Sequence, residues 1–313
     1  MILFYFLRRL CSMFFILLCV SMITFSLMHF VPGDPAEIIT ERKFGEEATA
    51  QTVERVREEM GLDRPVFSQY FYWLTGILRG DFGDSFCTGR PVLQEIMSRL
   101  PATAVLALAA MLVSLVIAIP VGIVSAVRQY SWIDSSSMVG AMLGVSMPNF
   151  WLGLLLILVF SVYYKWFPVY GYESPKHLVL PALTLGTGIA AVTARLTRSS
   201  MLEVLKQDYI RTARAKGLLE RIVINKHALK NALIPVVTVV GLQFGSLLEG
   251  AVVTEVVFAW PGMGRLLVDS IFARDFPVIQ GCVFVIAVIY VLVNLLVDLS
   301  YAWLDPKIRY EAK

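Results

Sequence analysis

Long apolar runs alternate with short polar segments along this chain, and the runs set its plan. A membrane-crossing helix needs about 20 apolar residues. Residues 10–31 qualify and follow Arg8 and Arg9. This run is long for a signal-peptide core and no small-residue cleavage site follows it, so it is read as a retained anchor. Residues 102–127 form the second span, entered through Pro101, with a kink expected at Pro120. Residues 178–196, 234–260 and 281–304 predict the fourth, fifth and sixth spans. The third block, residues 132–164, is too long for one straight crossing and is divided by Pro148. It is too short for two, so one tilted or kinked helix is expected, with room for a preceding interfacial turn.

Between the spans lie two polar segments with helical patterning of their own. In residues 32–100, positions 46–60 place Val53, Val56 and Met60 on one stripe, with Gly61 as a stop. Residues 65–78 predict a second helix, carrying Phe67, Tyr70, Phe71, Trp73, Leu74 and Ile77. A Gly-Asp-Phe-Gly turn at 80–83 and a short helix opened by Pro91 follow. The segment reads as a small helical cap, either a packed connector or a docking surface for a delivery protein. In residues 198–234, Leu202, Leu205, Tyr209 and Ala213 fall at spacings of three and four. Arg211, Arg214 and Lys216 sit off that stripe, and Gly217 is placed to end the helix. A second amphipathic stretch follows, with Leu218, Leu219, Ile222 and Val223.

Composition agrees with the pattern. The chain is 57% hydrophobic and 16% charged, against roughly 25% charged in soluble domains, and its mean hydropathy is +0.70. Charge then orients it. With six spans and an inside N-terminus, the inner segments hold fifteen Lys and Arg and the short outer loops hold four. Both termini are therefore expected inside, and the basic loop 198–234 with them. That loop has two open readings: a docking site for a partner, or a solvated basic segment lying on anionic lipid.

Charges within the spans are candidate functional or structural residues. Arg195 and Asp298 fall near the inner ends of spans four and six and are a candidate ion pair, since an unpaired charge there costs at least about 2.5 kcal/mol. Glu249 and Glu255 lie in the outer half of span five. Either could line a polar path, and a structural role or an interfacial position competes with that reading, more strongly for Glu255. Gly241-xxx-Gly245 and Gly140-xxx-Gly144 predict close helix contacts. The four cysteines include no CxxC pair and the three histidines are scattered, so neither a disulfide framework nor a metal site is expected. No phosphate-binding GxxxxGK[ST], HExxH or GxSxG motif occurs, so ATP hydrolysis by a P-loop on this chain is excluded and no catalytic residue is expected. A self-sufficient proton-coupled carrier using the span-five glutamates is the rival class, although no repeated halves are visible.

The run Asp208-Tyr209-Ile210-Arg211-Thr212-Ala213-Arg214-Ala215-Lys216-Gly217, followed by His227-Ala228-Leu229-Lys230-Asn231-Ala232-Leu233-Ile234-Pro235, resembles the coupling loop of binding-protein-dependent ABC importer permeases. The chain is similar over its length to the dipeptide, oligopeptide, glutathione and nickel group. The similarity includes Pro32-Gly33-Asp34-Pro35, Gly61-Leu62-Asp63-Arg64-Pro65, Gly80-Asp81-Phe82-Gly83, Gly241-Leu242-Gln243-Phe244-Gly245, Trp260-Pro261-Gly262-Met263-Gly264-Arg265 and Leu304-Asp305-Pro306. The resemblance implies an all-α polytopic membrane protein of the type I importer permease fold, with six transmembrane helices. Its parts would be residues 1–31, an extracytoplasmic segment 32–100, a core 101–304 and a tail 305–313. The expected site is in the bacterial inner membrane. Implied partners are a second permease, two ATPase subunits that bind ATP and magnesium, an external solute-binding protein and lipid, with no nucleic acid and no cofactor on this chain. Asp208, Tyr209, Arg211, Thr212, Ala213, Arg214, Ala215, Lys216 and Gly217 would form the coupling helix, and Gln243 and Glu249 are candidates for the translocation path. One departure is plain: the broad family motif begins Glu-Ala-Ala, and aligned on Gly217 this chain has Arg211-Thr212-Ala213. Small peptides rank first as the cargo, with glutathione and nickel chelates as alternatives. Residues 209–217 and 241–250 are closer to the peptide and glutathione members, and 146–151 to the nickel members.

Overall fold

The structure, a computed structural model, describes residues 2–30, 34–45 and 49–304. The regular elements among the described residues are helices, with one isolated bridge between Asp84 and Pro91. In chain order the helices are α1 (Ile2–Phe30), α2 (Pro35–Phe44), α3 (Ala50–Glu59), α4 (Val66–Leu78), α5 (Val92–Val127), α6 (Trp132–Ser146) and α7 (Asn149–Leu156). After α7 come a π-helical stretch Ile157–Tyr163, α8 (Lys176–Leu205), α9 (Asp208–Ala215) and the short α10 (Glu220–Ile222). A second π stretch, Val223–Ala228, leads into α11 (Leu229–Val257), α12 (Met263–Phe272) and α13 (Phe276–Leu304). Among the described residues, five helical stretches are long and apolar enough to cross a membrane, and α6 with α7 makes a sixth if that bent pair is one span.

Two expectations about the spans change. The helix opened by Pro91 is not short: α5 runs unbroken through Pro101 and Pro120. Val92 and Ile96, fully buried, pin the turns before Pro101, and their packing outweighs a cost of about 3 kcal/mol for an interior proline. The third block does more than kink. Its halves bend by 105°. Pro148 pushes Met147 out of the helical region, to φ −85° and ψ 127°, and the chain restarts at Asn149.

The helices fall into two compact units, each with its own core. The first holds residues up to Pro101 together with Gly262–Leu292. Here α3 is capped by Thr49 and stops at Gly61, whose φ of 64° suits a residue without a Cβ. Residues 46–48, the start of the predicted 46–60 helix, lie outside the described residues. Asp34 caps α2 and pairs with Arg57 of α3. Tyr70 of α4 meets Ser21 of α1, hydroxyl to hydroxyl at 2.8 Å, and packs on Phe25. Val92, Ile96, Met263, Val278, Cys282 and Val285 form the core of this unit. Gly281 lies so near Val92 that an added Cβ would come within 2.7 Å of it. The buried Asp275 carboxylate accepts hydrogen bonds from Ser85 Oγ and from the N–H groups of Phe86 (3.1 Å) and Cys87 (3.3 Å), holding that loop in place.

The second unit spans Ala102–Pro261 and the chain from Val293. Its centre is α8, against which α6, α7 and α11 pack. Close approach depends on glycine: a Cβ on Gly122 would lie 2.5 Å from Thr197 Cβ, and one on Gly186 would lie 2.7 Å from the Ala110 carbonyl oxygen. A Cβ on Gly241, of the first predicted motif, would lie 3.0 Å from Val297, but one on Gly140 would meet nothing within 4 Å and one on Gly144 would make only ordinary contacts. The tight contacts of α8 with α5 therefore come from glycines outside either spaced motif. One apolar cluster joins Leu106, Ala110, Leu185, Leu247 and Trp260. Trp260 Nε1 donates to the Ala102 carbonyl at 2.9 Å, and Tyr172 stacks edge-on against its ring.

Candidate functional site

The candidate site is α9 with its setting. Lys206 and Gln207 break the helical path after α8; Gln207 is extended, at ψ 147°. The apolar stripe predicted through Leu202, Leu205, Tyr209 and Ala213 is therefore not carried by one helix. The phase resets at Asp208. Ile210, fully buried, and Ala213 turn inward, while Tyr209 is exposed. Ile210 was not among the residues singled out from sequence, yet it is the anchor of the helix. Ile210 and Ala213 sit in a cluster with Ala126 of α5, Met201 of α8, Val223 and Ala228 of the π stretch, and Ala232 of α11. One eight-residue helix thus shares an apolar cluster with the ends of three long ones.

The remaining attachments are polar. Asn231 Nδ2 donates to Tyr209 Oη at 2.8 Å, tying α9 to α11. Arg214 donates to both carboxylate oxygens of Glu220, from Nη2 at 2.6 Å and Nε at 3.1 Å, closing the loop that follows the helix. This bond raises the pKa of Arg214 above its ordinary value. Arg211 lies 3.3 Å from Asp208 one turn back. Thr212 Oγ1 returns to the Asp208 carbonyl at 3.0 Å. Lys216 caps the C-terminus and Gly217 follows at φ +74°. The opposite face of α9 presents Arg211, Arg214, Ala215 and Lys216 to the surroundings. Leu218, Leu219 and Ile222 beside it are exposed as well, Leu219 at 72%, so only Val223 of the second predicted stripe is buried.

Close in sequence to this cluster is a constellation that sequence reasoning missed. Asp134, the one charged residue in the 132–164 block, is buried at the start of α6. Its carboxylate accepts from Arg198 Nε at 2.6 Å and Arg198 Nη2 at 2.7 Å, in bidentate geometry. It also accepts from Ser125 Oγ at 2.7 Å and the Tyr130 N–H at 3.0 Å. Tyr130 has a φ of 60°, unusual for a bulky residue, and this bond helps hold it there. Ser125 adjoins Ala126, and Arg198 is one turn before Met201, so the network borders the α9 seat. A lone acid in an apolar block was the available signal.

Other predicted residues are placed as follows. Gln243 Oε1 of α11 accepts from Thr193 Oγ1 of α8 at 2.9 Å, in the seam between those helices. Glu255 is fully buried and accepts from Thr103 Oγ1 at 2.7 Å, which fits the structural reading and not an interfacial one. Arg195 is exposed on α8. The side chains of Glu249 and Asp298 lie outside the described residues.

The family model for the binding-protein-dependent transport system inner membrane component matches residues 118–310, and the model for the N-terminal part of the same membrane components matches residues 1–107. Among curated proteins, the glutathione transport system permease protein GsiC of Pectobacterium atrosepticum is 48% identical, over 98% of this chain and 99% of that protein. GsiC of Escherichia coli K12 is 47% identical over the same shares. Among solved structures, an inward-facing MetNI methionine ABC transporter superposes with a TM-score of 0.58 at 20% identity, over 68% of this chain and 97% of that one. An amino acid ABC transporter gives 0.52 at 14% identity, over 66% and 92%. These two share the fold. The chain therefore belongs to the binding-protein-dependent transport system inner membrane component family, as a multi-pass inner-membrane permease subunit of an ABC importer.

Proposed function

We propose that this permease forms half of the pathway of an ATP-driven importer of glutathione or a closely related small peptide, and that α9 is where it receives work. The observation that carries the coupling role is the two-sided construction of α9. Its inner face is clamped by Ile210 and Ala213 to α5, α8 and the entry to α11, and its outer face is basic, exposed and flanked by exposed Leu218, Leu219 and Ile222. A push on the outer face would be passed to three long helices as one rigid movement. The partner on that face would be an ATPase subunit holding ATP and magnesium. A second permease, a second ATPase and an external binding protein would complete the machine, with both termini of this chain on the ATPase side. The Gln243–Thr193 seam is the proposed polar contact to the pathway.

Identity near 48% over the full length to permeases named for glutathione transport supports the cargo. The test is reconstitution of the assembled importer in liposomes with its binding protein. ATP-dependent uptake of glutathione in preference to simple dipeptides and nickel chelates is expected. Preference for either rival would overturn the cargo. Proton-driven uptake by this chain alone would overturn the pump reading.

A further inference from the structure

The first unit carries an apolar surface that none of the described residues covers. Helix α4 has no charged residue from Val66 to Leu78, and exposed Arg64 and Arg79 bracket it. Phe67 is 80% exposed, Tyr72 77%, Leu78 75% and Phe71 60%. A 13-residue apolar stretch is too short to cross a membrane and, when its large side chains are exposed, does not fit a buried core helix either. Its inner face locates it. Tyr70 and Trp73 pack on Phe25, one residue from the end of the Arg8–Ser26 candidate span. Tyr70 also meets Ser21 of that span. Trp73 meets Phe284, which lies about 12 Å along α13 from Phe276. Helix α4 is therefore held at the level of membrane-crossing residues, and its free face continues the exposed apolar surface of α1 at Met22 and Ile23.

We propose that α4 lies in the membrane interface, with Phe67, Phe71 and Tyr72 seated among lipid headgroups and upper acyl chains, and Arg64 and Arg79 reaching the phosphates. Aromatic rings favour that zone, and arginine stems bury while their heads stay wet. The 32–100 segment would then be moored to the bilayer along α4 instead of standing clear of it. This holds whichever cargo the importer carries.

The test is spin-label accessibility in the assembled importer in lipid nanodiscs. Single cysteines are placed at Phe67, Phe71 and Tyr72, with Ile23 as the lipid reference and Glu58 as the aqueous one. Cys11, Cys19 and Cys87 are replaced by serine and the buried Cys282 by alanine. Oxygen collisions should exceed those with a soluble nickel chelate at all three sites, with a ratio several-fold above that at Glu58 and near that at Ile23. A ratio near that of Glu58 means the face is in water and overturns the proposal. Low collision with both reagents means a protein covers it, and overturns it equally. Should a labelled variant fail to assemble, Phe67→Trp and Tyr72→Trp read the same choice by quenching with brominated lipid against aqueous iodide.

Discussion

Two arginine–carboxylate clasps bracket the α9 region and differ in nearly everything but chemistry. Arg198, its side chain 23% exposed, grips the buried Asp134 carboxylate through Nε and Nη2, and Ser125 and Tyr130 donate to the same carboxylate. Arg214 grips Glu220 with similar geometry, but the two side chains are 43% and 53% exposed and no other donor among the described residues joins them. A buried carboxylate is costly to strip of its cation, because that strands a charge away from water. An exposed one contributes little to stability because water replaces it. The first clasp thus serves to hold α5, α6 and α8 in register beside the seat of α9. The second shapes a surface that remains available to a partner.

The largest effect should separate them. Arg198→Ala leaves Asp134 buried without its cation and should lower stability on the order of 3 kcal/mol, seen as a lower melting temperature in detergent and reduced accumulation in the membrane. Arg198→Lys keeps the charge but loses the bidentate fork and should recover only part of that. Wild-type melting of Arg198→Ala would show that the buried clasp is no firmer than the exposed one. Next comes the anchor of α9. Ile210→Ala empties a packed site and should cost about 2 kcal/mol. Because the cluster joins three long helices, the loss should show as faster amide exchange in residues 208–215 and as ATP hydrolysis without matching uptake. Tyr209→Ala, on the exposed side, should do much less to exchange.

How much of this was legible follows from range. The spans and the C-terminal end of α9 are written locally: apolar runs of sufficient length, and a Gly217 that can take positive φ where a helix must stop. Ile210 was lost because one extended residue, Gln207, reset the helical phase, and a stripe counted across that break pointed to Tyr209 instead. Asp134 and Arg198 lie 64 residues apart, and no local pattern joins them. The 105° bend at Pro148 was half visible. Proline announces a break but does not fix its angle, which depends on how α6 and α7 each find α8. The glycine pairs failed at Gly140 for a similar reason, since spacing shows where close packing is allowed and only the partner helix shows where it occurs.

Gly217 tests the surface side at its base. An added Cβ would meet nothing within 4 Å, so a substitution is judged by backbone strain alone. Gly217→Ala should cost about 1 kcal/mol, and Gly217→Asn less, because asparagine tolerates the left-handed region better. Equal costs for the two would mean the strain lies elsewhere.

The smallest effect on stability should come from the exposed clasp, and it is the one that most sharpens the comparison. Glu220→Gln removes the charge and keeps the shape. With both groups half-exposed, the change should be about 0.5 kcal/mol or less, with melting nearly unmoved. Its effect on coupling should be out of proportion. Glu220 fixes the direction of the Arg214 guanidinium on the face that a partner would read. Without it Arg214 is freed, and ATP hydrolysis should rise relative to uptake in the reconstituted importer. The paired change Arg214→Gln with Glu220→Gln removes the arginine that the clasp orients, and should lower ATPase stimulation instead. Unchanged coupling in both variants would mean that the clasp is as purely structural as its buried counterpart, and that the partner reads Arg211 and Lys216 instead.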